Sequence, residues 1–312
     1  MSIFRKSLLT IGNAGQTTGA DLSDIDLTAA TLDSRIKYQC MSSHAFIAAD
    51  GTVQFASPDV WPLEYRDGIA IGRHEPEPQA TNHNQYVANF QSCSAFVGNG
   101  VDYHGLPLFF CTFPEGNDKY IPCPTDISGA GTYTLSYYGL YNETTNAITS
   151  IGRPICYGME HPSLDRTFAV NITTGETAVL LGDFKRITAQ RFFDSYRCIC
   201  SVSTDNALTQ LEQRMMTAVT NTESGTQILG MPQIEAGEIA TSPIITNGEP
   251  VTRADSSVRI KNPGRMATSV RVIYTDGTSK LFDFNGNDDV DIPAAIFDWG
   301  TRYISKCEYL KS

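Results

Sequence analysis

Five histidines, His44, His74, His83, His104 and His161, are the first residues to question for acid–base or metal chemistry. No two of them share the spacing that puts two ligands for one metal on one element. A Ser-His-Asp arrangement assembles from distant segments, so spacing alone does not exclude one, but no Gly-x-Ser-x-Gly elbow is present. "GNAGQTTG" (12–19) has the glycines of a phosphate loop without the lysine that reaches the phosphates. Gly129-Ala130-Gly131 runs into a strand-like stretch, where a dinucleotide site would have a helix. In "DFNGNDDVDIP" (283–293), Asp283, Asn285 and Asn287 alternate like the start of a calcium loop. Asp288 then stands where the sharp turn needs glycine, and Ala294 where a bidentate Glu belongs. Asp288, Asp289 and Asp291 are neighbours in one loop and do not make a pair of carboxylates facing each other across a sugar ring. The pattern gives no reason to expect a catalytic centre, a metal or a cofactor.

The aromatic residues say more. "GNGVDYHGLPLFFC" (98–111) places Asp102, Tyr103 and His104 between two glycines, and "CYGMEHPSLDR" (156–166) offers Tyr157, His161 and Asp165 in a second punctuated loop. A flat apolar ring beside acceptors for hydroxyls is what a sugar site uses, so these six are the candidate glycan contacts. Tyrosines at loop ends also cap β-cores or line subunit contacts. Trp61 and Trp299 read as core or interface residues.

Charge narrows the partners. Asp and Glu number 34 against 23 Lys and Arg, a net charge of −11. Binding to nucleic acid through its phosphates needs clustered Lys and Arg, and no basic stripe exists. No apolar run approaches the roughly 18 residues of a membrane span, and the N-terminal stretch is too broken for an export signal, so membrane insertion and Sec export are not expected. Eight cysteines without a Cys-x-x-Cys pair read as reduced, buried thiols.

These residues need a frame, and the frame reads as all-β. Twenty-five glycines and fifteen prolines punctuate short alternating runs, the pattern of a sandwich or barrel. "GTYTLSYYGLYNE" (131–143) puts Tyr133, Leu135 and Tyr137 on one face and Thr134, Ser136 and Tyr138 on the other. "TFAVNITTGETAVLL" (167–181) reads as a hairpin about Thr-Thr-Gly, and "RFFDSYRCICSVS" (191–203) as a strand. In "DNALTQLEQRMMTAV" (205–219) Leu208, Leu211 and Met215 have helical spacing, but the neighbouring strands favour a strand there too. "SVRVIYTDGTSKLFDF" (269–284) is a hairpin about Asp276-Gly277, and "GTRYISKCEYL" (300–310) a last strand. With "KNPGRM" (261–266) as a linker turn, the stretch after 255 reads as a small β unit of its own.

The stretch "MPQIEAGEIATSPIITNGEPVTRAD" (231–255) carries a resemblance. Gln233-Ile-Glu235-Ala-Gly237, then Ala240-Thr241-Ser242-Pro-Ile244-Ile-Thr246, then Val251-Thr252-Arg253-Ala254-Asp255 resembles the closing segment of a concanavalin-like jelly-roll module of tailed-phage structural proteins. Other marks follow in the family's order: Asp50-Gly51 after a Ser/Ala-rich run, Gly68-Ile-Ala-Ile71 with Glu77, Thr81 and Asn82, and "GTYTLSYYG". The similarity spans about residues 30–255. "YQCMSSH" departs from the family's opening pattern, and residues 86–125 are longer and more individual.

The resemblance implies an N-terminal arm (1–29), an antiparallel jelly-roll β-sandwich (30–255) and a small C-terminal β domain (256–312). It implies a non-enzymatic virion protein, a tail fibre or other surface appendage, that binds host-surface glycan or docks to other phage virion proteins. A homo-oligomer, with a trimer favoured, fits weak contacts strengthened by avidity. A capsid or tail decoration protein without a receptor role is the alternative, and a polysaccharide depolymerase a lesser one. Gln233 and Glu235 are expected to satisfy backbone groups at the sandwich edge, and Arg253 and Asp255 to anchor the crossing by ion pairs.

Overall fold

The computed structural model describes residues 21–94, 97–113, 121–127, 129–140, 155–160, 164–171, 174–204, 210–216 and 225–311. The chain is an all-β antiparallel sandwich, as its alternation required. One sheet orders its strands as β15 (Arg186–Phe192), β16 (Ser195–Thr204), β11 (Gly131–Leu140), β18 (Gly225–Ala236), β9 (Leu106–Phe113) and β8 (Val97–Tyr103). The other orders β10 (Ile121–Asp126), β17 (Gln210–Met216), β12 (Ile155–Glu160), β13 (Leu164–Val170) and β14 (Thr177–Leu181). The chain changes sheet at each step from β9 to β12, and again from β16 to β18, which is the winding of a jelly roll.

The core between these sheets follows the alternation. Tyr133, Leu135 and Tyr137 of β11 meet Cys198, Cys200 and Val202 of β16 and Leu211 and Met215 of β17. Cys198 and Cys200 are buried free thiols on one face of their strand. The strand expected within 205–219 is present over 210–216, while 205–209 and 217–219 lie outside the described residues. β11 is buried on both faces from Tyr133 to Gly139. Its second face, with Tyr138, packs with Phe192, Ile228 and Met231 against a third layer that includes Ala45, Val53 and Trp299.

That third layer comes from both ends of the described chain. β22 (Ser279–Asp283), β21 (Ser269–Tyr274), β24 (Tyr303–Leu310), β6 (Ile69–His74) and β5 (Glu64–Arg66) form one sheet, with β1 (Ile25–Asp26) also paired to β24. β2 (Ile36–Cys40), β20 (Ser256–Lys261) and β23 (Asp289–Ile292) form a second. Their shared core joins Ile25, Ile36, Tyr38 and Trp61 to Val258, Ile260, Val272 and Cys307. The stretch after 255 is β, and its 269–284 hairpin has the expected turn, with Gly277 at φ 83°. It does not stand apart: β24 runs between β21 and β6, and β20 between β2 and β23, so position 255 is not a boundary between sheets. The physical reason is that the alternating run at 36–40 and the strand at 69–74 find their backbone partners here and not in the jelly roll. Residues 25–26 of the expected arm are likewise strand, and residues 1–20 lie outside the described residues.

Two ribbons complete the frame: β3 (His44–Ile47) with β4 (Val53–Ala56), and β7 (Ala80–Asn82) with β19 (Val251–Arg253). Among the described residues no helix is long and apolar enough to cross a membrane.

Candidate functional site

Residues 240–246 cross between layers without a strand partner, so their backbone groups need side chains. Gln233 accepts from the Ile244 N–H at 2.9 Å and donates to the Ser242 carbonyl at 3.3 Å. Glu235 accepts from the Thr241 N–H and hydroxyl at 3.1 and 2.5 Å, and Glu77 from the Ser242 N–H and hydroxyl at 2.7 and 2.8 Å. Asn82 donates to the Pro232 and Ile244 carbonyls. Arg253 lies 3.4 Å from Glu77. Burial would raise the Glu77 carboxyl, but Arg253, His74 and the Ser242 donors outweigh it and hold it below its ordinary range. Burial raises Glu235, with Arg197 opposing in part. These groups are consumed in holding a strap. Arg253 anchors the crossing as expected, whereas Asp255 is exposed and makes no ion pair among the described residues.

A second buried set joins Tyr38, His44, His74 and Glu64. The Tyr38 hydroxyl is 3.1 Å from His44 Nε2, and His74 Nδ1 is 3.3 Å from Glu64 Oε1. Glu64 also accepts the Ile47 N–H at 2.8 Å. Burial lowers His44 to about 4, helped by neighbouring His74, and burial raises Glu64.

The open feature is a cleft of about 540 Å³ where the jelly roll meets the third layer. Three two-residue hairpin turns gather beside it. Asp67 and Gly68 join β5 to β6 at φ 51° and 74°, and His104 and Gly105 join β8 to β9 at φ 50° and 82°. These are the positive-φ turns that match strand twist. Phe193, between β15 and β16, has φ 54°, which a bulky side chain rarely adopts.

The docking of the 104–105 turn explains that conformation. The His104 ring stacks on Phe193, with centroids 3.9 Å apart and planes at 15°. His104 Nδ1 lies 2.8 Å from the Gly51 carbonyl, and the His104 carbonyl accepts the Val53 N–H at 2.6 Å. The buried Tyr103 hydroxyl donates to Asp194 and lies 3.2 Å from the Phe192 carbonyl. Burial, with Asp194 beside it, raises that phenol. Asp102 accepts the Gly105 N–H at 2.8 Å.

Phe193, Tyr65 and Trp299 give the cleft aromatic surface, Arg66, Asp67 and Arg191 give it charge, and Gln190 an amide. Gln190 Nε2 donates to the Trp299 carbonyl at 2.6 Å, and Asp298 clamps the Trp299 loop to Arg186 at 2.5 and 2.9 Å. Gln190 Oε1 and Trp299 Nε1 are buried without a hydrogen-bond partner. Arg66 and Arg191 are exposed, and neither makes an ion pair among the described residues.

The structure therefore places Tyr103 and His104 behind the cleft wall, where they hold residues 192–194, while Asp102 is exposed and accepts within its own turn. Tyr103, 7% exposed with its hydroxyl committed, is a packing residue and not a platform open to a sugar. Tyr157 and Asp165, placed here by backbone alone, lie on β12 and β13 of the other sheet, and His161 lies outside the described residues. The first loop thus belongs to one sheet and the strands flanking the second to the other. Trp61, stacked on Tyr38 at 5.5 Å, is core as expected, while Trp299 is buried and also lines the cleft. Arg66, Asp67, Gln190, Arg191 and Phe193 were not singled out by sequence. The only local signals are the Asp-Gly turn and a Phe-Phe pair at a strand end.

The described cleft lining holds one carboxylate, Asp67. Asp288, Asp289 and Asp291 face arginines instead: Asp288 pairs with Arg265 at 2.7 Å, and Asp289 and Asp291 with Arg259 at 3.8 and 2.8 Å. Among the described residues no group of three or more His, Cys, Asp or Glu is placed to hold a metal ion. Compared with known proteins, the sequence matches no protein-family profile and no curated protein.

Proposed function

We propose that the protein is a non-enzymatic structural protein of a tailed-phage particle, a tail fibre or other surface appendage that binds host-surface glycan through a rigid jelly roll. The single observation that carries the binding part is the aromatic cleft at the convergence of three hairpin turns. Its volume lies in the range of small-ligand sites. One carboxylate in the described lining fits binding better than glycoside hydrolysis, which ordinarily uses two. The phage part rests on the resemblance of residues 231–255, whose Gln233, Glu235 and Arg253 hold the strap together.

The test is binding of the purified protein to envelope polysaccharide from susceptible and resistant bacteria, with reducing ends measured in parallel. Retention on the susceptible polysaccharide without released ends is expected. Release of reducing ends would make the protein a depolymerase. No retention on either would leave docking on other virion proteins as its role, in a homo-oligomer such as a trimer, and imaging labelled particles would then locate it.

A further inference from the structure

We infer that the cleft takes an acidic sugar, a saccharide unit bearing a carboxylate, with Arg191 and Arg66 as the carboxylate receptors. This rests on the reading that the protein binds glycan. Charge is the first reason. On a chain of net charge −11, two arginines border one cleft with no ion pair among the described residues. A guanidinium recognises a carboxylate through paired N–H donors, so it orients a sugar acid as well as attracting it.

The second reason is the aromatic surface of the lining. Phe193 and Tyr65 supply flat apolar surface for the carbon face of a ring. An acidic peptide would use the arginines and gain less from flat aromatic faces than a sugar ring does. Asp67 at the rim is a like charge for the ligand, so its removal has a sign that separates this assignment from generic packing.

The third reason is how firmly the wall is held. Phe193 stays at φ 54° because His104 stacks on its ring and Tyr103 engages the Phe192 carbonyl and the Asp194 side chain. Strain is retained where the surroundings over-determine it, and it concentrates at ligand sites.

The experiment titrates the full chain with hexuronate oligosaccharides, sialyl oligosaccharides, neutral hexose oligosaccharides and a poly-glutamate peptide, by calorimetry or NMR. At least one acidic saccharide is expected to bind at least about 10-fold more tightly than the neutral ones. Arg191→Gln and Arg66→Gln should each weaken it by about 10-fold, the loss of one charged hydrogen-bonding partner. Asp67→Asn should leave that affinity unchanged or raise it. All three side chains are exposed, so unchanged melting temperatures control for folding. Equal binding of neutral and acidic saccharides, or arginine variants without effect, overturns the inference while leaving glycan binding intact. Poly-glutamate binding as tightly as the best saccharide replaces the sugar with an acidic protein partner. No saccharide binding, together with no retention on host polysaccharide, overturns the glycan reading itself.

Discussion

Glu77 does for the Ser242 backbone what an adjacent strand would do, and it carries a charge while doing so. Removing that charge leaves Arg253 buried without its counter-ion. Glu77→Gln is expected to cost about 3–5 kcal/mol, measured as a lower denaturant midpoint, and Glu77→Gln with Arg253→Met should cost less than Glu77→Gln alone. His44 sets an acid limit. Its imidazole stays neutral down to about 4 in the fold, against an ordinary 6.5, because burial and His74 oppose its charge. Stability from this group is complete above about 6.5 and declines as pH falls toward 4, by at most about 3 kcal/mol. Glu64, raised by burial, acts in the opposite sense, stabilising most at low pH. Comparing melting temperatures of the parent and His44→Gln from pH 7 to 4 cancels that term. The parent should lose more. The residue types of the strap were legible in sequence, since Gln233 and Glu235 were expected to satisfy backbone. That Glu77 and Asn82 reach the same strap was not, because local pattern carries no information about contacts across more than 160 positions.

At the scale of elements, turn chemistry was the most legible feature. Asp276-Gly277 gave its hairpin because few residues other than glycine take that φ without strain. β17 was harder to read for one side chain: Leu211, Gln213 and Met215 all point inward, and a polar residue in the middle breaks the apolar alternation. Gln213 is tolerated there because its Nε2 donates to the Ser136 carbonyl at 3.1 Å. The cleft went unseen because its lining comes from stretches far apart in the chain, 65–71, 190–193 and 299–303, and nothing local says which of them meet. The 104–105 turn tests that assembly. A Cβ at Gly105 would collide with the Val53 carbonyl oxygen, and φ 82° is unfavourable for alanine. Gly105→Ala is expected to lower stability by at least about 2 kcal/mol in thermal melts and to weaken saccharide binding, although Gly105 does not line the cleft.

The whole molecule is interleaved more deeply than its sequence suggested. The last hairpin looks self-sufficient because its two strands are neighbours in sequence, while the strands that complete its sheets lie some 200 residues earlier. The chain has two tryptophans: Trp61 is in the core shared by the two ends, and Trp299 packs against the jelly roll. Trp61→Phe and Trp299→Phe variants therefore each report one core by fluorescence. Coincident urea midpoints are expected, and two separated transitions would show independent domains. Gly72 is the tightest point of the interleaving, since a Cβ there would collide with the Ile304 carbonyl. Gly72→Ala should shift both fluorescence transitions downward together.

The cleft draws one wall from residues 65–71, another from 190–193 and its closing edge from 299–303. During synthesis the first two emerge long before the third. A nascent chain therefore has no complete cleft until translation has passed Tyr303. Fragments released early would be unable to compete with finished copies for whatever the finished copies hold.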